Sequence, residues 1–129
     1  MNRAFVFPGQ GSQYVGMGID FFDNSESSRK IFKQVNEELQ INLSQIIFEG
    51  PQESLNNTVN AQPALLATSI AIMEAILSES KKSIKQLCKV VAGHSLGEYS
   101  ALCASNAISL EYAVKLIRIR SISMENSCP

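Results

Sequence analysis

Val90-Val91-Ala92-Gly93-His94-Ser95-Leu96-Gly97 sets the architecture expected of this chain. A short β-branched run enters a Gly-x-Ser-x-Gly pentapeptide, and a helix-compatible stretch from Glu98 to Ala107 follows. That is the strand, sharp turn and helix order of a nucleophile elbow. At such a turn the serine backbone is crowded and its oxygen projects outward, while Gly93 and Gly97 let the chain bend and neighbouring backbone approach. Ser95 would stand at a helix N-terminus, where the Leu96 N–H and the helix dipole stabilise negative charge developing on a substrate oxygen. Small residues around a serine also form ordinary tight turns, so the flanking strand and helix carry the reading.

A second apolar run, Ala4-Phe5-Val6-Phe7, stops abruptly in Pro8-Gly9-Gln10-Gly11-Ser12-Gln13. In an open parallel sheet such turns gather at the carboxyl ends of the strands, so these two segments can converge on one crevice. Gln10, flanked by glycines, sits on backbone able to approach a substrate; a solvated polar loop is the plainer reading. Helical spacing recurs between the strands. Ser28 to Leu39 carries Ile31, Phe32, Val35 and Leu39, Leu43 to Phe48 is a short helix, and Ala64 to Leu77 aligns Leu65, Leu66, Ile70, Met73, Ile76 and Leu77. Ser78 to Lys85 reads as a solvated connection. The fold class is therefore α/β with parallel strands.

From Leu110 to Met124, a period of about 3.6 residues puts Leu110, Ala113, Leu116, Ile117 and Met124 on one face. Arg120 falls in the middle of it. A buried guanidinium needs an anion, either one of the chain's own carboxylates or that of a ligand.

Composition narrows the function class. A net charge of -1 with no basic cluster beyond Lys81-Lys82 argues against nucleic acid, no apolar run is read as a membrane span, and no secretory signal is read, which makes a cytoplasmic location the expectation. Cys88, Cys103 and Cys128 follow no metal-ligand spacing and read as reduced thiols, so no metal site is expected. The single histidine, His94, adjoins Ser95, and neighbouring side chains at an elbow diverge, so it reads as a packing residue rather than a base.

Four blocks, in order, carry a resemblance. They are Phe7-Pro8-Gly9-Gln10-Gly11-Ser12-Gln13, then Gly16-Met17-Gly18, then Ala61-Gln62-Pro63-Ala64-Leu65, and finally Gly93-His94-Ser95-Leu96-Gly97-Glu98-Tyr99-Ser100-Ala101-Leu102. From Phe5 to the last residue the chain resembles malonyl-CoA:acyl-carrier-protein transacylases of fatty-acid synthesis. The resemblance implies that Ser95 is the acyl-accepting nucleophile, that the Gln10 and Leu96 N–H groups form the oxyanion hole, that Gln62 lies near the active-site entrance, and that Arg120 pairs with the malonyl carboxylate. It implies malonyl-CoA and acyl carrier protein as partners, with no cofactor beyond the coenzyme A thioester substrate. The family usually has glycine after this arginine, where this chain has Ser121.

Family members are more than twice as long, pass through a ferredoxin-like subdomain and carry their catalytic histidine downstream. Residues 1–129 therefore read as the first part of an α/β-hydrolase-like large subdomain, with the ferredoxin-like subdomain absent and little activity expected of the chain alone. Uncovered apolar faces along Leu65-Ile70-Met73-Leu77 and around Ala113-Ile117 lead to an expectation of self-association or of a complementing chain. A serine hydrolase of α/β-hydrolase type, a non-catalytic truncated product and a polyketide-type acyltransferase are the alternatives.

Overall fold

A computed structural model of the protein describes residues 2–127. The two apolar runs form β1 (Ala4–Phe7) and β2 (Val90–Gly93), which pair in parallel with Ala4 opposite Val90 and Phe7 opposite Gly93. A parallel pair needs a crossover. Here everything between the strands serves as one, and it is helical: α1 (Ile19–Asn24), α2 (Glu26–Leu39), α3 (Leu43–Glu49), α4 (Gln52–Asn56), α5 (Thr58–Ser80) and α6 (Ile84–Leu87). Helices α7 (Gly97–Ala104) and α8 (Leu110–Ser127) follow β2. The α/β class with a parallel sheet is thus observed.

The core lies between α2, α5 and α8, where Phe32, Val35, Leu39, Leu66 and Ile117 are buried with Leu43 and Ile47 of α3. Ser25 caps α2 by accepting from the Ser28 N–H at 3.2 Å, and buried Ser28 donates from Oγ to the Ala71 carbonyl at 2.6 Å, tying α2 to α5. A smaller cluster of Phe7, Met73, Ile84, Cys88 and Ala101 covers one face of the sheet. The opposite face, with Ala4, Val6, Val90 and Ala92, is open; Val6 is 71% exposed and Val90 55%.

Several expectations need correction. Helix α5 runs six residues further upstream than Ala64 and three beyond Leu77, and it carries Pro63 inside. Proline removes one main-chain hydrogen bond there, and burial of Ala61 to Thr68 outweighs that loss. By length and composition α5 is also apolar enough to cross a membrane, contrary to the reading that no run approaches a span, although 61% of its apolar window is buried in this fold. The supposed solvated connection from Ser78 to Lys85 takes in the end of α5 and the start of α6, whose capping box links the Ser83 N–H to Gln86 Oε1 at 2.8 Å. Helix α7 stops at Ala104, before Asn106 at φ 65°, instead of reaching Ala107.

Leu65, Ile70, Met73, Ala113 and Ile117 are all buried and Leu77 half-buried, so the faces on which self-association was expected are covered within the chain. Helix α8 packs its narrower Ala113, Val114, Ile117, Ser121 side inward. Arg120 consequently stands half-buried at the margin of that stripe, and Met124 is exposed rather than packed. Cys88 and Cys103 are buried free thiols; Cys128 lies outside the described residues.

Candidate active site

The two strand ends touch because three glycines remove the side chains that would hold them apart. A Cβ on Gly97 would strike the Phe7 and Pro8 carbonyls, one on Gly93 would strike the Gly97 carbonyl, and one on Gly9 would meet the His94 carbonyl. With that clearance, the His94 N–H donates to the Phe7 carbonyl at 3.1 Å and extends the parallel ladder past its last residue pair. The convergence expected of the two turns is present.

Ser95 itself adopts φ 55°, a left-handed conformation that costs a non-glycine L-residue roughly 1–2 kcal/mol. The turn is held by the Gly97 N–H donating to the His94 carbonyl at 2.9 Å and the Glu98 N–H to the Ser95 carbonyl at 3.0 Å. Leu96, 0% exposed, anchors in the core, while Ser95 and His94 stay exposed. Among the described residues neither the Gln10 nor the Leu96 backbone N–H donates to a protein acceptor. The Gln10 side chain is turned to the mouth of α5, where Nε2 donates to Thr58 Oγ1 at 3.1 Å. Gln10, Asn56, Thr58, Ser123 and Met124 line a cleft of about 610 Å³.

Arg120 joins three helices to the turn. From α8, its Nη2 donates to Ser95 Oγ at 2.9 Å and its Nη1 to Gln62 Oε1 of α5 at 2.7 Å, while its guanidinium lies 5.5 Å from the centroid of the Tyr99 ring of α7. All of these partners are neutral. The ion pairs among the described residues, Lys30 with Glu26 and Lys115 with Glu111, are elsewhere. Among the described residues the cation therefore has hydrogen bonds but no carboxylate of the chain's own, so the internal salt bridge weighed for it is not formed.

Gln62, for which the resemblance implies a place near the active-site entrance, is 0% exposed beneath Arg120, with Nε2 directed to Met124 Sδ at 3.3 Å. Ser121 is fully buried and donates its Oγ to the Arg118 carbonyl at 3.0 Å, so its hydroxymethyl group is satisfied within its own helix. Tyr99 was not read as a site residue. It stands in the first turn of α7, the helix that follows the serine turn, and its ring meets the Arg120 guanidinium there. Among the described residues Arg120 is the side-chain partner of Ser95, and no base reaches it.

Residues 4–129 match the profile of the acyl transferase domain. The malonyl CoA-acyl carrier protein transacylase of Bacillus subtilis (strain 168) is 45% identical over 126 residues, which are 98% of this chain and 38% of that protein. The crystal structure of acyl-carrier-protein-S-malonyltransferase from Bartonella henselae superposes with a TM-score of 0.94 at 45% identity, over 100% of this chain and 41% of that one. A malonyl-transacylase solved in complex with its type II PKS acyl-carrier protein superposes at 0.90 and 37% identity, over 100% of this chain and 40% of that one. The chain thus spans about two fifths of the length of these relatives. With the profile matching from the first strand to the last residue, the chain belongs to the acyl transferase domain family.

Proposed function

We propose that this chain carries the nucleophile and acyl-recognition part of a malonyl-CoA:acyl-carrier-protein transacylase. The observation that carries the reading is Arg120, a cation against Ser95 Oγ whose partners are all neutral. A carboxylate at one end of an acyl group would supply the missing counter-charge and bring its thioester end to the serine, through bonds worth roughly 1.5–3 kcal/mol each. An acetyl group offers no such anion.

Ser95, at φ 55° between β2 and α7, is read as the residue of a nucleophile elbow. Its oxygen attacks the thioester carbonyl of malonyl-CoA, the oxyanion is held by the Gln10 and Leu96 N–H groups, and the carbon–sulfur bond breaks to release coenzyme A as its thiol. The phosphopantetheine thiol of acyl carrier protein then attacks the malonyl-serine ester and restores the hydroxyl. The base that takes the serine proton lies outside the described residues. The chain corresponds to the first part of the large, hydrolase-like subdomain, and a plain serine hydrolase is not favoured, since the relatives named above are transacylases or malonyltransferases.

A chimera tests this. The chain replaces the matching 126-residue segment of the Bacillus subtilis relative, and transfer of malonyl from coenzyme A to acyl carrier protein is measured. Transfer is expected, and it should vanish with Ser95→Ala. A folded chimera that releases free malonate instead would favour the hydrolase.

A further inference from the structure

Gln62 presents an unusual combination, a fully buried amide with an arginine at one end and a thioether at the other. The guanidinium has donors only, so the amide oxygen must face it, and this fixes the orientation of the group. The remaining NH2 is left to Met124 Sδ, a weak acceptor. Gln62 stands on α5 immediately before Pro63, in a stretch buried from Ala61 to Thr68, so its backbone is among the most enclosed of the molecule. Arg120 reaches it on a long, half-buried stem.

The neutrality of this anchor matters. A carboxylate in its place would pair with Arg120 and discharge it; an apolar side chain would leave one edge of the guanidinium unheld. A buried amide does neither. It accepts a hydrogen bond at 2.7 Å and leaves the positive charge available. The Tyr99 ring restrains the flat face of the same group without adding charge. With no exposed surface, Gln62 has none to offer an acyl group.

We propose that Gln62 is a positioning residue, which holds the Arg120 fork in place for an acyl carboxylate without neutralising it and without touching the acyl group itself. This rests on the reading of Arg120 as the carboxylate partner.

The test uses the full chain labelled with ¹⁵N, its Arg120 guanidinium resonances assigned by their loss in Arg120→Lys. Restrained, separate Nη signals are expected for Arg120. In Gln62→Met, which keeps the volume and removes the acceptor, they should collapse to the averaged signal of a free arginine. In Gln62→Glu they should stay restrained, but addition of malonate, which shifts them in the parent chain, should act with an affinity lower by about tenfold or more. Unchanged Arg120 signals in Gln62→Met would overturn the role given to Gln62, whatever malonate does. If that variant does not fold, an undiminished malonate response in Gln62→Glu overturns it equally. Failure of malonate to shift Arg120 in the parent chain strikes the carboxylate reading instead, while the comparison of Gln62→Met with the parent still decides whether Gln62 restrains the arginine.

Discussion

Arg120 Nη2 lies 2.9 Å from Ser95 Oγ, so the resting serine hydroxyl accepts a hydrogen bond from the very cation that is proposed to receive the substrate's carboxylate. Ser95 is exposed and its oxygen has no second side-chain partner among the described residues. Ser95→Ala should therefore change stability by less than about 1 kcal/mol while abolishing any malonyl adduct in the chimera. Intact-protein mass spectrometry after mixing with malonyl-CoA reads this out. An adduct surviving on the variant would assign the acceptor role to another residue.

Arg120→Ala in the chimera removes the counter-charge for malonyl, and the hydrogen bond to Ser95 Oγ that goes with it is common to both thioesters. The specificity constant for malonyl-CoA should fall about tenfold to a hundredfold, from the roughly 1.5–3 kcal/mol of a charge-assisted hydrogen bond, with a much smaller change for acetyl-CoA. Equal losses for the two thioesters would make Arg120 structural.

The 129-residue chain by itself has no base on Ser95 among its described residues, because the partner of the hydroxyl is a guanidinium that cannot take a proton. Malonyl-serine should form far more slowly than in the chimera, with at most the residual acceleration, roughly 10³–10⁴-fold over water, that a site lacking a triad member retains. Stopped-flow mixing of both proteins with malonyl-CoA gives the comparison. Matching rates would point to His94 or another group as the base.

Backbone geometry at the turn makes its own prediction. Ser95→Gly relieves a left-handed residue and should be at least as stable as the parent chain, whereas the β-branched Ser95→Val should lose more than about 1 kcal/mol. Gly97→Ala drives a methyl group into the Phe7 and Pro8 carbonyls, which are main chain and cannot step aside, and should cost about 1–3 kcal/mol. Urea denaturation ranks the three. A neutral Gly97→Ala would mean that the two strand ends are not in contact.

Cys103 supplies a pH dependence. Burial, with the nearby Glu74 carboxylate adding to it, pushes its thiol from 9.0 up to about 11. A raised folded-state value means that its contribution to stability is whole below pH 9 and fades as pH climbs to about 11. Stability of the parent chain should fall across that window more steeply than that of Cys103→Ala, and Cys103 should resist alkylation at pH 8. Parallel slopes would remove the effect.

Local patterns were readable wherever one residue type answers one physical demand. The two strands, the glycine-rich turns and the α2 stripe of Phe32, Val35 and Leu39 follow from β-branching, backbone clearance and helical periodicity. Pro63 hid the true start of α5, because proline signals a helix boundary when tertiary burial is not known. The short α1 and α4 lack enough turns to display a period, and α6, a single turn, passed for part of a solvated connection although its Ser83 and Gln86 form a capping pair. At the site, the sequence pointed to Arg120 by asking which charge sat on an apolar face. It could not place that charge at the margin of the stripe, nor reveal Gln62 beneath it, since both depend on how α8 lies across α5.

The pairing of Ala4 with Val90 also leads to an expected order of events as the chain folds. Joining segments 86 positions apart costs at least about 4 kcal/mol of loop-closure entropy, whereas α2, α3 and α5 are neighbours along the chain and can condense while β2 is still unstructured. The strand ends, and with them the contact of Ser95 with Arg120, are therefore expected to be completed after the helical layer and to open locally before it. Amide exchange would trace that seam: slow in the middle of α5, faster at the His94 N–H that closes the sheet.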